Sequence, residues 1–454
     1  MTGLKRRFFK LISTARLRAK KILDRLLTNR LKHGVLTAVP FWVGSFVIGV
    51  LAFFYAWIFH KAELLMFEIM DYKAWLIFLL APAGFIISWW LVTKFAPYSK
   101  GSGIPQVMAA IEIDSPATER KVSKLLSLRI IVVKFFSSIV LVLGGGAIGR
   151  EGPTIQISGS VFNFINQIIP KWWPKVSRKN MILTGAAAGL SAAFNTPLGG
   201  IVFAVEELTK IHFNYFKTAI FTAVIIAGLT AQQLAGPYLY LGYPKIGSVS
   251  GKIFLSVILV AAIAGLSAAI MSKLILAILN FKKKFTKPSH HLLFLAASAL
   301  IVATFAFFIH ESILGSGKGL IEQYLFTKNN HASELIPFSR VLGTSLAFTS
   351  GGAGGIFAPA LSCGASIGSA ISGWFNFSQT ETNVLILAGM VAFLTGVTRS
   401  PFTSAIIVLE MTDRHSIILD LMTAALVAGF VSLLISKRSL YDRLKTIYMR
   451  ELSH

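Results

Sequence analysis

Four stretches of this chain, residues 34–59, 74–93, 253–272 and 292–309, contain no Asp, Glu, Lys or Arg. Each is about as long as a helix must be to cross the roughly 30 Å hydrocarbon core of a bilayer. No water reaches that depth, so every backbone N–H and C=O there must find its partner inside the protein. This requirement bounds the fold more tightly than any other feature and predicts an all-α polytopic membrane protein. Composition agrees, because 54% hydrophobic and 14% charged residues are more apolar than a soluble chain of 454 residues needs. The first thirty residues are basic and lack the apolar core of a cleavable signal peptide. Cys363 is the single cysteine, which leaves no internal disulfide and no multi-cysteine metal site.

The formal charge of +25 could suggest a nucleic-acid partner, but its distribution argues for the lipid bilayer instead. The excess lies in the N-terminal arm ("KRRFFK", "RLRAKK"), in "KKKFTK" at 282–287 and in the tail "SKRSLYDRLKTIYMR". Positive charge flanking apolar spans marks cytoplasmic segments, so both termini are expected in the cytoplasm. Residues 5–32 are expected to form an amphipathic helix lying on the anionic inner leaflet.

Other apolar stretches are interrupted by glycine and proline, and the interruptions repeat in order. "GSG" occurs at 101–103 and at 315–317. "GGxxGREGP" (145–153) aligns with "GGxGGIFAP" (351–359), setting Pro153 against Pro359 and Glu151 against Phe357. Gly185, Pro197 and Glu206 then recur at the same spacing as Gly389, Pro401 and Glu410. The chain is therefore read as a basic N-terminal segment (1–33), a first membrane repeat (34–247) and a second (248–454) ending in a cytoplasmic tail. Duplicated membrane proteins with broken helices are typically inverted halves, with their site where the halves meet near the midplane.

Three of the breaks share one grammar: glycines, a proline, then a helix. They comprise Gly101, Gly103 and Pro105; Gly149, Gly152 and Pro153; and Gly355 and Pro359. Proline suits the first turn of a helix, and glycine lets the backbone bend and approach a ligand closely. The product is a helix start with free N–H groups and a positive dipole end, suited to an anion. Packing glycines for close helix contact is the bland reading of any one loop. A phosphate loop lacks its Lys-Ser/Thr pair here. Candidate donors are the Ser102 hydroxyl, the Ile356 and Phe357 amides and the Tyr441 phenol. None is a full charge, as a site that must also release its ion requires. Glu151 is itself an anion at a helix start and could hold that site until protonated; the alternative is an ion pair with Arg150, awkward between adjacent helical residues. Glu206 and Glu207 point in different directions, and composition alone leaves Glu207 open between a buried acid and a surface residue.

These motifs resemble the CLC family of chloride channels and transporters over nearly the whole chain after residue 33. The resemblance implies a dimer of tilted and broken helices, CLC-type, with one anion pathway per subunit and chloride and protons as substrates. It implies that Ser102 and Tyr441 coordinate the central anion with the Ile356 and Phe357 amides. It also implies that Glu151 is the gating glutamate and outer proton carrier, and that Glu207 hands protons to the cytoplasm. Glutamate at the latter position is usual in exchangers, which favours Cl⁻/H⁺ exchange over the alternative, a passive channel. The tail ends about a dozen residues past Tyr441, as in prokaryotic members, so a bacterial inner membrane is expected. Neither a cofactor nor enzymatic chemistry is expected, since no His-x₃-His pair accompanies Glu206 and Glu207. Arg399 has no account at this level beyond Glu410 as a structural partner.

Overall fold

A computed structural model describes residues 29–170, 172–209, 217–236, 239–247, 250–328 and 330–453. The N-terminal arm, with most of its expected amphipathic helix, lies outside them. The first half comprises α1 (Asn29–Tyr72), α2 (Ile77–Phe95), α3 (Ile104–Glu112), α4 (Glu119–Leu125), α5 (Leu128–Leu143), α6 (Glu151–Ile168), α7 (Arg178–Phe194), α8 (Pro197–Phe203) and α9 (Lys217–Ala235). The second comprises α10 (Gly251–Lys282), α11 (Pro288–Phe308), α12 (Lys318–Phe326), α13 (Leu335–Thr349), α14 (Phe357–Trp374), α15 (Gln379–Thr398), α16 (Pro401–Thr412), α17 (Ile418–Ile435) and α18 (Leu440–Ser453). Apart from α4 and α18 the order of long, short and broken helices runs twice. Among the described residues, eight helices are long and apolar enough to cross a membrane, and they include all four uncharged runs.

The broken helices are short because proline and glycine fix their starts. The nine residues of α3 and of α12 follow left-handed glycines, Gly103 and Gly317. Inside the protein the helices approach closely through small residues. A Cβ at Gly364 or Gly368 of α14 would collide with carbonyls of Gly389 and Leu385 on α15, and Gly185 and Gly189 of α7 do the same work against Phe162 and Ser158 of α6. Without a hydrophobic force between lipid-embedded helices, such close contact supplies the association.

The two halves also cap one another. Glu206 lies within the π-helical turn Ala204–Thr209 after α8, and its carboxylate accepts the backbone N–H groups of Phe402 (3.2 Å) and Thr403 (2.7 Å) at the start of α16. Glu410, its repeat equivalent on α16, accepts those of Leu198 (3.0 Å) and Gly199 (2.7 Å) at the start of α8. This corrects the expected pairing of Glu410 with Arg399. Arg399 and Asn195 are equivalent residues that close α15 and α7 in left-handed conformation, with φ of +66° and +55°. The Arg399 guanidinium then donates to the carbonyls of Gly429, Ser432 and Ser436 in the last turns and at the C-cap of α17. A cation at a helix C-terminus needs no carboxylate partner.

Glu206→Ala and Glu410→Ala each remove one cap of this reciprocal pair. Each is expected to cost about 1 kcal/mol, the usual value of a lost N-cap, read as a lower thermal unfolding midpoint in detergent. An unchanged midpoint in both would show that the caps do not hold the halves together.

Candidate functional site

Five glycines hold the centre of the molecule. Gly101 N–H donates to the Gly352 carbonyl at 2.8 Å, and Gly354 N–H to the Gly101 carbonyl at 3.1 Å. Gly149 and Gly355 exchange both of their backbone hydrogen bonds, at 2.7 and 2.8 Å. These contacts form two isolated β-bridges between the repeats, one parallel and one antiparallel. They draw the starts of α3, α6 and α14 together at one point. Side chains would not fit: a Cβ at Gly152 would strike the Ser102 hydroxyl, and one at Gly149 would strike the Glu151 carboxylate.

The residues singled out from the sequence meet around this stitch. Ser102 is 1% exposed and Tyr441, at the start of α18, is fully buried. Their hydroxyls face one another, yet neither is within full hydrogen-bonding reach of any partner. Two buried, unsatisfied hydroxyls aimed at one spot call for an acceptor, since such groups cost about 1–3 kcal/mol each when left unmade. Ile356 precedes α14 and Phe357 opens it, both buried. The ring of Phe357 lies 5.2 Å from that of Phe194 at the end of α7.

Glu151 opens α6 and is wholly buried. Its carboxylate lies at the amides of Glu151 itself and of Ala358 on α14. The Tyr240 hydroxyl reaches its Oε1 at 3.5 Å from the far side. A cavity of about 260 Å³ opens beyond, lined by Arg150, Asn195, Tyr240, Lys318 and Glu63 among others. Glu207 is 4% exposed, which decides between the two readings of that residue in favour of a buried acid. The Ser400 hydroxyl donates to its Oε2 at 2.5 Å. Both Glu151 and Glu207 lie within electrostatic range of the Tyr441 phenol.

Four contributors escaped the sequence reading. Lys134, on α5 and fully buried, donates to the carbonyls of Ser99 (2.9 Å) and Gly101 (2.7 Å), holding the first GSG loop from behind. Arg340, on α13, does the same for the second loop through the carbonyls of Ile313, Leu314 and Ser316. Each cation stands eleven residues before the first glycine of its repeat, 134 before 145 and 340 before 351; that shared spacing was the available signal. Tyr240 and Glu63 lie in segments with no motif, and nothing local marks them.

Comparison with known proteins gives a consistent result. The model of the family described as "Voltage gated chloride channel" matches residues 83–433. The H(+)/Cl(-) exchange transporter ClcA of Cronobacter sakazakii is 30% identical over 396 residues, 85% of this chain and 82% of that protein. The protein of the same name from Yersinia pseudotuberculosis is 30% identical over 438 residues, 92% of this chain and 89% of its own. Among solved structures, a slow cyanobacterial Cl-/H+ antiporter superposes with a TM-score of 0.79 at 23% identity, covering 92% of this chain and 99% of its own. A CLC-type fluoride/proton antiporter gives 0.73 at 22% identity, over 91% and 98%.

Gly152→Ala places a methyl group against Ser102, and chloride flux in liposomes is expected to fall at least tenfold with the fold retained, since a small displacement at a packed site costs on the order of two kcal/mol. Flux at the parent rate would mean that the contact between these loops does not shape the pathway.

Proposed function

The chain belongs to the voltage-gated chloride channel family, and from that premise we propose that it is a secondary transporter exchanging chloride for protons across the membrane. In this reading the anion sits between the Ser102 and Tyr441 hydroxyls and the amides that open α14. All of these are dipoles, so the ion is held without being trapped. The observation that carries the reading is the pair of buried acids, Glu151 and Glu207, flanking Tyr441. A channel needs a pathway for one ion; coupling needs an acid reachable from each side.

Glu151 shares its end of the site with the amide of Ala358 and opens onto the cavity that contains Arg150 and Lys318. With the basic tail in the cytoplasm, that cavity is the outer vestibule. When charged, the carboxylate and a halide compete for the same positive potential. When protonated it no longer belongs there, and it leaves carrying its proton outward. Glu207 takes the inner role, beside the hydroxyl of Ser400. The dimer expected of the family would be built on the exposed apolar faces of α8, α9, α16 and α17, where Leu198, Leu229, Phe402, Leu426 and Phe430 are more than half exposed.

Coupled flux measurement in liposomes tests the proposal: an outward chloride gradient should drive protons uphill. Glu151→Gln is expected to pass chloride while losing both proton coupling and pH dependence, and normal coupling in that variant would remove Glu151 from the gating role. Glu207→Gln is expected to stop proton movement with chloride flux retained. If chloride gradients move no protons in the parent protein, the channel reading replaces this one.

A further inference from the structure

The second GSG loop reproduces the first in more than sequence. Gly315 and Gly317 have φ of +63° and +82°, against +65° and +105° at Gly101 and Gly103. Each loop leads directly into a nine-residue helix, α12 or α3. Beneath each lies a buried cation bonded to its carbonyls, Arg340 or Lys134. The second glycine of each loop packs on an equivalent residue of the next broken helix, Gly103 on Gln156 of α6 and Gly317 on Ser362 of α14.

The loops differ on their other side. The Ser102 hydroxyl has no full partner. Ser316, its counterpart, is engaged: its N–H and its hydroxyl both donate to Oε1 of Glu63, at 2.6 and 2.9 Å. Glu63 comes from α1, 253 residues away in sequence, and is only 9% exposed. A Cβ at Gly315 would collide with the same oxygen. The His60 imidazole, 60% exposed, has its Nδ1 4.0 Å from Oε2.

We propose that loop 315–317 is a second anion-binding cradle, that the Glu63 carboxylate is its resident ligand, and that a halide takes its place when the carboxylate is removed. Charge balance carries the proposal beyond the shape of a helix start. A carboxylate this deep in a membrane protein costs several kcal/mol unless opposite potential meets it. Here that potential comes through the loop: Arg340 neutralises the carbonyl face while Glu63 occupies the amide face, and the two interact electrostatically. Under the first loop the cation is Lys134, and among the described residues no ion pair joins it to an acid. A halide presents the same charge and the same need for N–H and O–H donors as a carboxylate oxygen. The route exists as well, because Glu63, Ser316 and Lys318 line the same cavity as Arg150 and Glu151. The charged and titratable groups facing Glu63 are therefore His60 on its own helix, Arg340 behind the loop, and Lys318, Arg150, Glu151 and Tyr240 across the cavity. The internal ligand keeps the vestibule from holding a halide at a dead end beside the pathway. None of this requires proton coupling, so the proposal stands apart from the exchange mechanism.

Crystals soaked in bromide test it through anomalous density. In the parent chain, density is expected between Ser102 and Tyr441 and none at Ser316. Glu63→Ala is expected to keep the first peak and gain one further bromide per subunit within hydrogen-bonding distance of the Ser316 amide. Glu63→Gln, whose amide oxygen still accepts from Ser316, is expected to gain none. A Glu63→Ala structure with the first peak intact and nothing at Ser316 overturns the proposal; loss of the peak between Ser102 and Tyr441 in the parent chain sinks the transport reading instead. Thermal unfolding supplies a second readout: bromide, compared with equal isethionate, should raise the midpoint of Glu63→Ala more than that of the parent. Equal rises count against the cradle, as does failure to recover either Glu63→Ala or Glu63→Ser in bromide.

Discussion

The interior of this protein depends on backbone pairing among three loops that belong to no helix. At mid-membrane depth an amide without a partner costs several kcal/mol, which normally forbids a chain from breaking its helix there. Gly101, Gly149, Gly352, Gly354 and Gly355 lift that prohibition by bonding to each other across the repeats. Because they satisfy each other, the starts of α3, α6 and α14 can converge, with the Glu151 carboxylate at the amides of Glu151 and Ala358. The stitch also explains why glycine is needed on both sides. Gly101 adopts positive φ, a Cβ at Gly149 would strike the Glu151 carboxylate, and one at Gly355 would crowd the backbone of Gly152 and Gly149.

The buried carboxylates meet two kinds of donor, backbone amides and hydroxyls. Glu63, Glu206 and Glu410 each accept backbone N–H groups. An amide only donates, so it favours the carboxylate and gives nothing to the acid. Those three residues are fasteners. Hydroxyls reach four of these five acids: Glu63 from Ser316, Glu206 from Thr403, Glu151 from Tyr240 and Glu207 from Ser400. A hydroxyl donates to a carboxylate and accepts from a carboxylic acid, so its partner can change protonation state without leaving a buried group unmatched. Glu151 keeps amide neighbours too, which is what a residue that alternates between a charged seat and a neutral departure requires.

Much of this was legible beforehand. Uncharged runs gave the spans, and the ordered glycine-proline repeats gave the duplication and the broken helices. The meeting of Ser102, Glu151, Phe357 and Tyr441 followed from the grammar of the breaks and from family resemblance. What remained hidden shares one physical cause: pairing between residues hundreds of positions apart leaves no local trace. Glu410 was expected to serve Arg399 because opposite charges invite pairing, yet both found backbone partners, which are more numerous near helix ends than side chains are. Lys134 lies in no motif of its own. Its match with Arg340 becomes visible once the two repeats are laid over each other beyond their glycines.

Duplication creates a problem as well as a scaffold, because two related halves offer two related anion cradles. A pathway along which an ion moves needs one central seat approached from both ends; a second open cradle off to one side would draw the ion away from it. The halves differ where this matters. Glu151, in the proposed cycle a removable acid, has Phe357 as its repeat equivalent, whose ring packs against Phe194 and which in that proposal lends only its backbone. Ser102 keeps its hydroxyl available, while Ser316 surrenders its own to Glu63. Each substitution converts a symmetric pair into one working site and one filled one, with no change to the backbone that both halves inherit. The asymmetry lies in side chains laid over a conserved stitch, and it lets inverted copies serve a pathway with a single seat.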